Sequence, residues 1–561
     1  MTPKAASASP APSRRSFLSS TAVAAVAVAG GMPLLAACSG SAGSGEGTTS
    51  GKSAKKILPA YRAHNIVTPD IPSKNGSSVG FTGKVDLSKL ATAVPEKLGT
   101  GGKVTVMAPY WGTPPKADCA YYTELNKAVG VEITWQNQDG NHYGEKIGAV
   151  LASSSLPDMM VVPGWELAGK IPTALAAKML DLGPYLSGSK VEKYPNLAAM
   201  PSDAWQRGIF GGKLRGIPVP YSYVPNIVPF YRKDLFDKHG WEVPTSADEF
   251  LALAKEMTSK KAGVYGCDDM KWSSFNIFGS LGGSEKALGW KLQDGKLVNR
   301  VETDEYLEAL EWTRKLYAAG VVHPEAKAAT GDSSLRFTSG KVMMFNGDIN
   351  TWYFKTAEMA GSKSAPDFQI VGMDIFGHDG GDPKLFAGTP ANMWTFIRKD
   401  ASKEVVENAL AAANYSASPY GTRERMMVDY GVEGTHYTVK AGVPVKTELG
   451  NTDVMNTWGM LAGPASFIAH PDFPEIARAK VEWQQRMGAF VTKPPFYGLT
   501  IIEPSRYANL SDQFEQLEDD FVRGNKKLGD VQQAISDWKS KGGDKLRDWY
   551  KKLLDENGSA S

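Results

Sequence analysis

Cysteine is almost missing from this chain: its 561 residues include three, at Cys38, Cys119 and Cys267. So few thiols exclude a disulfide-stapled scaffold and a paired-cysteine metal site. Excess charge of one sign is lacking as well, with 62 basic side chains against 60 acidic ones and a net charge of +2. No overall field would draw the chain to nucleic acid, so no nucleic-acid partner is expected. The seven histidines, His64, His142, His239, His323, His378, His436 and His470, lie far apart, and none has another histidine or a cysteine at helical spacing. No His-Glu-x-x-His occurs, and no Gly-x-Ser-x-Gly occurs from Lys103 onward. No catalytic residue, metal or cofactor is therefore expected, and the adjacent pair Asp268-Asp269 reads as a solvated loop. Beyond the first forty residues no run stays apolar for eighteen positions, so the body should be soluble.

What is present begins at the amino terminus. Ser13-Arg14-Arg15-Ser-Phe-Leu18 is followed by an apolar run over 21–37 and then by Leu35-Ala-Ala-Cys38. The twin arginine is the pattern of the export route that carries folded proteins, and Leu-Ala-Ala-Cys is a bacterial lipobox. Residues 1–37 read as a removable signal peptide and Cys38 as the lipidated first residue of the mature chain. Two acyl chains, at ~0.8 kcal/mol per buried methylene, suffice for stable anchoring. The apolar run has seventeen residues, marginal for a membrane span. Residues 38–56 are Gly, Ser, Thr and Lys, a flexible tether. Within it Gly45 to Ser53 imitates a phosphate-binding loop, but its spacing is one residue too long and no strand precedes it.

About 520 residues remain after the signal, too many for one hydrophobic core, so two or more domains are expected. Residues 57–102 are proline-punctuated and read as an extension wrapping the first lobe. Regular structure should start at Lys103, where Val104, Val106 and Ala108 alternate as a strand does. Val131, Ile133 and Trp135 repeat the alternation, and Met159-Met-Val-Val162 reads as a strand buried on both faces. Helices fit between them over 117–129 and 143–152. That order argues for parallel α/β units. Ser246 and Glu249 form a capping box before the helical face Phe250, Leu253, Ala254 and Met257.

The positive signal for function is a set of aromatic residues beside small polar ones in expected loops: Trp111, Trp165, Tyr221, Tyr223, Trp272, Trp352 and Trp394, with Asp348 and Asn392. A sugar ring presents an apolar C–H face and an equator of hydroxyls, so its site needs flat platforms ringed by hydrogen-bonding groups. Loops after strand ends are where ligands bind in α/β sheets. These nine residues are the candidate ligand-binding set. An acidic sugar would also want a cation, for which Arg215, Arg232 and Lys271 are available.

Several motifs go beyond composition. Gly212-Lys-Leu-Arg-Gly-Ile-Pro218, then Asn226-Ile-Val-Pro-Phe-Tyr-Arg-Lys-Asp234-Leu235 and Trp241-Glu-Val-Pro-Thr245, resemble the signature of extracellular solute-binding protein family 1, the sugar-binding lipoproteins of ABC importers. Arg215 stands where the family pattern has Tyr. Tyr430-Gly-Val-Glu-Gly-Thr-His-Tyr437 resembles a motif of its aldouronate and oligosaccharide-binding subgroup, and Leu156-Pro-Asp158 and Phe337 to Asn346 also match.

The resemblance spans residues 103–550. It implies an α/β, two-lobe, periplasmic-binding-protein-like (type II) fold with a hinge and an interlobe cleft. Crossings are expected near 218–225, 345–348 and 388–394, giving one lobe of 103–222 and 347–390 and a second of 223–346 and 391–561. It further implies a monomeric carbohydrate receptor that delivers its ligand to ABC permease subunits from the outer face of the cell membrane. A secreted lipoprotein hydrolase of polysaccharides, or the same fold binding a peptide, are the alternatives.

Overall fold

The computed structural model describes residues 56–167, 169–282, 286–507 and 509–557. The expectations for Arg14, Arg15, Cys38 and the tether up to residue 55 lie outside the described residues.

One lobe is built on a five-stranded sheet. Its strands are β1 (Lys103–Tyr110), β2 (Glu132–Asp139), β3 (Met159–Pro163), β4 (Gly216–Pro220) and a late strand Ala391–Ile397, in the order β2, β1, β3, late strand, β4. β1 runs parallel to β2 and β3, as helices at Ala120–Val129 and Tyr143–Ala152 between the strands dictate. The late strand is antiparallel to β3 and β4. Both faces are covered: Val104, Val106 and Ala108 pack toward Tyr121, Leu125 and the alanine-rich helix Lys403–Ser416, Met107 toward Tyr143 and Ile147. Two-sided cover explains why β3 reads as an unbroken apolar run.

The second lobe has a four-stranded sheet. β5 (Ile227–Arg232), β6 (Tyr265–Cys267), β7 (Val342–Asp348) and β8 (Ile370–Gly372) lie in the order β8, β5, β7, β6, so the late strand Ala391–Ile397 is β9. Phe230, Phe337, Phe345 and Trp352 fill the core beside the sheet, with the helices Ala247–Met257, Lys271–Ile277 and Asp304–Ala319 packed around it. Ser246 Oγ accepts the Glu249 amide at 3.2 Å as expected. The Glu249 carboxylate reaches one residue further back, to the Thr245 amide at 2.8 Å, so the capping box is offset.

The chain crosses between lobes at 221–226 and again on the way from β8 to β9. The expected crossing at 345–348 does not occur: β7 continues into the helix Asn350–Met359, and β8 pairs back onto β5. Residues 347–372 therefore belong to the four-stranded lobe. β9, expected there, belongs to the five-stranded one, as do Trp458 and Leu461, and the chain returns before Trp483 and Met487.

The segment 57–102 is not confined to one lobe either. Leu58 accepts the Gly188 amide on the five-stranded lobe at 3.0 Å. Next, Ser222 of the first crossing donates to the Gly76 carbonyl at 2.8 Å, and Gln484 accepts the Ser78 amide at 2.9 Å. Val79–Phe81 then pairs in parallel with Phe467–Ala469. The segment returns through Ala93 and Val94, whose amides donate to Glu424, and ends against Val129. It is a strap laid over the hinge. Gly76, at φ 77°, lies so close under the Tyr223 ring that a Cβ would stand 2.0 Å from it, so the strap can pass there only with glycine.

Cys119 and Cys267 are free and buried. Asp268 is not a solvated loop residue: its buried carboxylate accepts from Arg336 Nε at 2.6 Å and Nη2 at 3.1 Å. Replacing Arg336 by Met should cost about 3–5 kcal/mol in urea unfolding, because a buried carboxylate loses its cation. Adding Asp268→Asn to that variant should restore a large part of the loss. Equal stability of the single and double variants would contradict the pairing.

Candidate functional site

β1 and β3 are parallel neighbours, so the loops leaving their carboxyl ends open on the same edge of the sheet. Trp111 follows β1 and Trp165 follows β3. Their rings stand 6.3 Å apart, 45% and 56% exposed. Gly140 makes the seat for Trp111, since a Cβ there would lie 2.2 Å from the indole. β9 is antiparallel to β3, which brings its start to that edge: Met393 pairs with Pro163, and a Cβ on Gly164 would lie 2.8 Å from Asn392 Oδ1.

Asn392 also lines a pocket of about 220 Å³ formed by the two crossing segments and the helix Lys271–Ile277. Tyr221, Ser222, Asn226, Trp272, Phe275, Asn276, Ser280, Phe386 and Thr389 share the lining. The site thus draws on both lobes and on the chain between them. Its polar groups are amides and hydroxyls, its flat faces Trp272, Phe275 and Tyr221. Ser280 Oγ is buried with no hydrogen-bond partner among the described residues.

Asp348 stands one step behind this lining. Its carboxylate accepts from Asn226 Nδ2 at 2.7 Å and from the Asn350 amide at 2.8 Å, so it orients a lining amide. Burial, then the charge of Asp348, pushes the Tyr221 phenol up to about 12, against hydrogen bonds with Asn350 and Asn226. Asn350 Oδ1 in turn accepts from Lys480 Nζ at 3.1 Å, and Lys480 lies 3.1 Å from His470 Nε2. Lys480 is buried, which lowers it to about 8 while Asp348 opposes the shift. His470, stacked on Tyr353 at 3.9 Å, is held down at about 3 by burial and by Lys480. It is neutral at neutral pH and accepts a hydrogen bond from Lys480.

The structure brings together Tyr221, Trp272 and Asn392 in the pocket, with Trp111 and Trp165 beyond Asn392 and Asp348 behind Asn226. It does not bring Tyr223, Trp352 or Trp394 there. Trp352 is buried against Phe230 and the glycine at 372, because its helix turns that face to the sheet. Trp394 is wholly buried inside β9, edge-on to Phe210 and 5.3 Å from the Arg207 guanidinium. Tyr223 covers Gly76 and meets Tyr497 edge-on beneath Lys493, a hinge contact. Asn226, Asn276, Ser280 and Thr389 were not singled out from the sequence; isolated polar residues in loops carry no pattern, although Asn226 opens one of the quoted motifs. Gly76-Ser-Ser-Val-Gly80, ahead of Lys103, has the Gly-x-Ser-x-Gly spacing, but its Ser78 Oγ is paired with Ser466 Oγ at 2.7 Å in the strap. Among the described residues, no group of three or more His, Cys, Asp or Glu could hold a metal ion.

A family model described as bacterial extracellular solute-binding protein matches residues 120–449. Lipoprotein LipO of Bacillus subtilis is 22% identical over 481 residues, covering 81% of this chain and 93% of the relative. Among solved structures, an HMO-binding, ABC-transporter-associated solute-binding protein from Bifidobacterium longum infantis matches with a TM-score of 0.61 at 15% identity, covering 81% of this chain and 99% of that one. The alginate-binding protein AlgQ2 matches with a TM-score of 0.59 at 15% identity, covering 84% of this chain and 100% of that one. The two-lobe fold is therefore that of the solute-binding proteins.

The half-buried His470 sets a pH dependence. The unfolded chain takes a proton near pH 6.5 and the folded one near pH 3, so stability is full above the first value and is lost as pH falls through the interval. His470→Gln, which keeps an acceptor for Lys480, should flatten the decline of the urea midpoint between about pH 7 and about pH 4. A decline as steep as that of the unaltered protein would contradict the neutral state of His470.

Proposed function

The chain belongs to the bacterial extracellular solute-binding proteins, and on that premise we propose that it is the lipid-anchored receptor of an ABC importer, capturing a carbohydrate between its lobes. The observation that carries this reading is the pocket at the crossing segments. There Tyr221 and Trp272 supply ring faces, Asn226, Asn276 and Asn392 supply amides, and the exposed pair Trp111 and Trp165 extends the surface beyond Asn392. A sugar needs that combination, because its C–H face seeks apolar area while its hydroxyls need donors and acceptors together.

Ligand contacts from both lobes would favour a closed arrangement, since closure is driven only by contacts stronger in the closed state than in the open one. The loaded receptor then hands its ligand to permease subunits in the membrane. Cys38 with its lipobox supports the anchor, and a relative that is itself a lipoprotein is consistent with it. The receptor acts as a monomer. A hydrolase would need two carboxylates flanking the scissile bond; the described lining of the pocket presents none.

Calorimetry of the full chain against a panel of oligosaccharides and peptides tests the reading. At least one saccharide should bind, and mass spectrometry after long incubation should recover it intact. Shortened products would favour the hydrolase, and binding of peptides alone would favour the other alternative. Trp272→Ala should weaken saccharide binding roughly tenfold or more, through loss of a stacking face. Trp394→Phe should leave affinity unchanged and lower stability by about 1–3 kcal/mol, as a buried ring would. The opposite pattern would move the site away from the crossing segments.

A further inference from the structure

Resting on the carbohydrate reading, we infer that the ligand is a neutral saccharide, and that the site discriminates against uronic acids. The described residues lining the pocket include no Lys, Arg, Asp or Glu. A carboxylate removed from water must meet a cation or several strong donors, so the disposition of the nearby cations decides the matter.

The three cations singled out in the sequence, and Lys480 and His142 beside the site, are already engaged. Arg215 donates to the carbonyls of Phe210 and Met179, at 3.0 and 2.8 Å, inside the five-stranded lobe. Arg232 holds both carboxylate oxygens of Asp234 and donates to the Phe337 and Thr338 carbonyls. Lys271 lies nearest, 5.1 Å from the Trp272 ring, but it is buried and bound to Asp519 at 2.5 Å, with Glu518 at 3.7 Å. Lys480 is 1% exposed and turned to Asn350 and His470. His142, near the outer tryptophans, is paired with Asp139 at 2.7 Å.

The charges that do border the site are negative. Asp348 sits directly behind Asn226. Asp139 pairs in register with Tyr110, the residue before Trp111, and Glu166 follows Trp165, its carboxyl pushed up by burial. An anionic sugar would therefore face carboxylates at the inner and the outer end of the surface, and none of the cations just named is free to answer it. A neutral sugar meets amides and hydroxyls that can donate and accept alike. This separates the chain from the aldouronate type suggested by Tyr430 to Tyr437. That motif lies elsewhere: Gly431, Val432, Glu433 and Tyr437 line a different cavity of about 270 Å³, beside Leu87 of the strap and Tyr415.

The test is a tryptophan-fluorescence and calorimetric titration of the full chain with matched pairs: linear xylo- and gluco-oligosaccharides, and the same chains bearing one glucuronic acid. At neutral pH and low salt at least one neutral member should bind, with its uronate partner about 30-fold weaker or more. The gap should narrow as salt is raised. Asp348→Asn, which keeps an acceptor for Asn226, should shift the neutral-to-uronate ratio toward the uronate. A merely structural role for Asp348 would weaken both members equally and leave the ratio fixed. A uronate that binds as tightly as its neutral partner, or a ratio unmoved by Asp348→Asn, overturns the inference. If no saccharide of either kind binds, the carbohydrate reading fails first and this inference falls with it.

Discussion

The carboxylate of Asp348 ties together the parts that the site depends on. It closes β7, accepts from Asn226 in the first crossing, and accepts from the amide that opens the helix Asn350–Met359. Through Asn350 that helix is joined to Lys480, on the helix Pro474–Gly488, which also carries Gln484 and its bond to the strap. One acid thus couples a lining amide, a sheet end and the hinge cover. Its charge is partly answered by Lys480, which burial lowers to about 8 against the opposing pull of Asp348. A network of this kind rigidifies what it holds only while every member is satisfied.

The strap adds a second constraint on the hinge. Because the segment before Lys103 touches the five-stranded lobe, the first crossing and the helix Pro474–Gly488 in turn, any rotation of one lobe against the other must carry it along or strain it. The contacts at the crossing itself are few and local: one hydroxyl on the Gly76 carbonyl and one ring over Gly76. The longer pairings, with Phe467–Ala469 and with Glu424, lie to one side. Closure about residues 221–226 would then bend the strap near Gly76, where it has no side chain to obstruct.

The sequence showed the five-stranded lobe well and the division of the chain poorly, for a physical reason. Strand alternation and helical spacing are local, and Val104 to Ala108, Ile133, Met159 to Val162 and the helices between them follow those periods closely. Which sheet a later strand joins is not local. β8 and β9 are short apolar strands with similar patterns, yet one pairs with β5 and the other with β3 and β4. The family resemblance supplied a crossing at 345–348, and pairing of β8 back onto β5 moved it. At the site, Trp111, Trp165, Tyr221, Trp272 and Asn392 were legible because aromatic residues next to glycine, proline or serine mark loops at strand ends. Trp352 and Trp394 carried the same mark and proved to be core. Nothing in a one-dimensional pattern tells an indole turned inward from one turned outward.

The arrangement of charge completes the argument about what this surface can hold. In a water-filled cleft an unpaired carboxylate costs little, because solvent screens it; in a closed one the same group loses its hydration and must find a partner. Asp348 has two amide donors and a lysine beyond them, so it can remain ionised as the cleft dries. A ligand carboxylate would find no equivalent in Lys271, Arg232, His142 or Arg215, which are committed to Asp519, Asp234, Asp139 and backbone carbonyls. Hydroxyls escape this difficulty. Each can both donate and accept, so Asn226, Asn276, Asn392 and the unpartnered Ser280 Oγ can be matched without moving a charge out of water. On the proposed reading closure would be the selective step: the more completely the lobes excluded water, the larger the penalty on an anion and the smaller the penalty on a neutral ring stacked against Trp272.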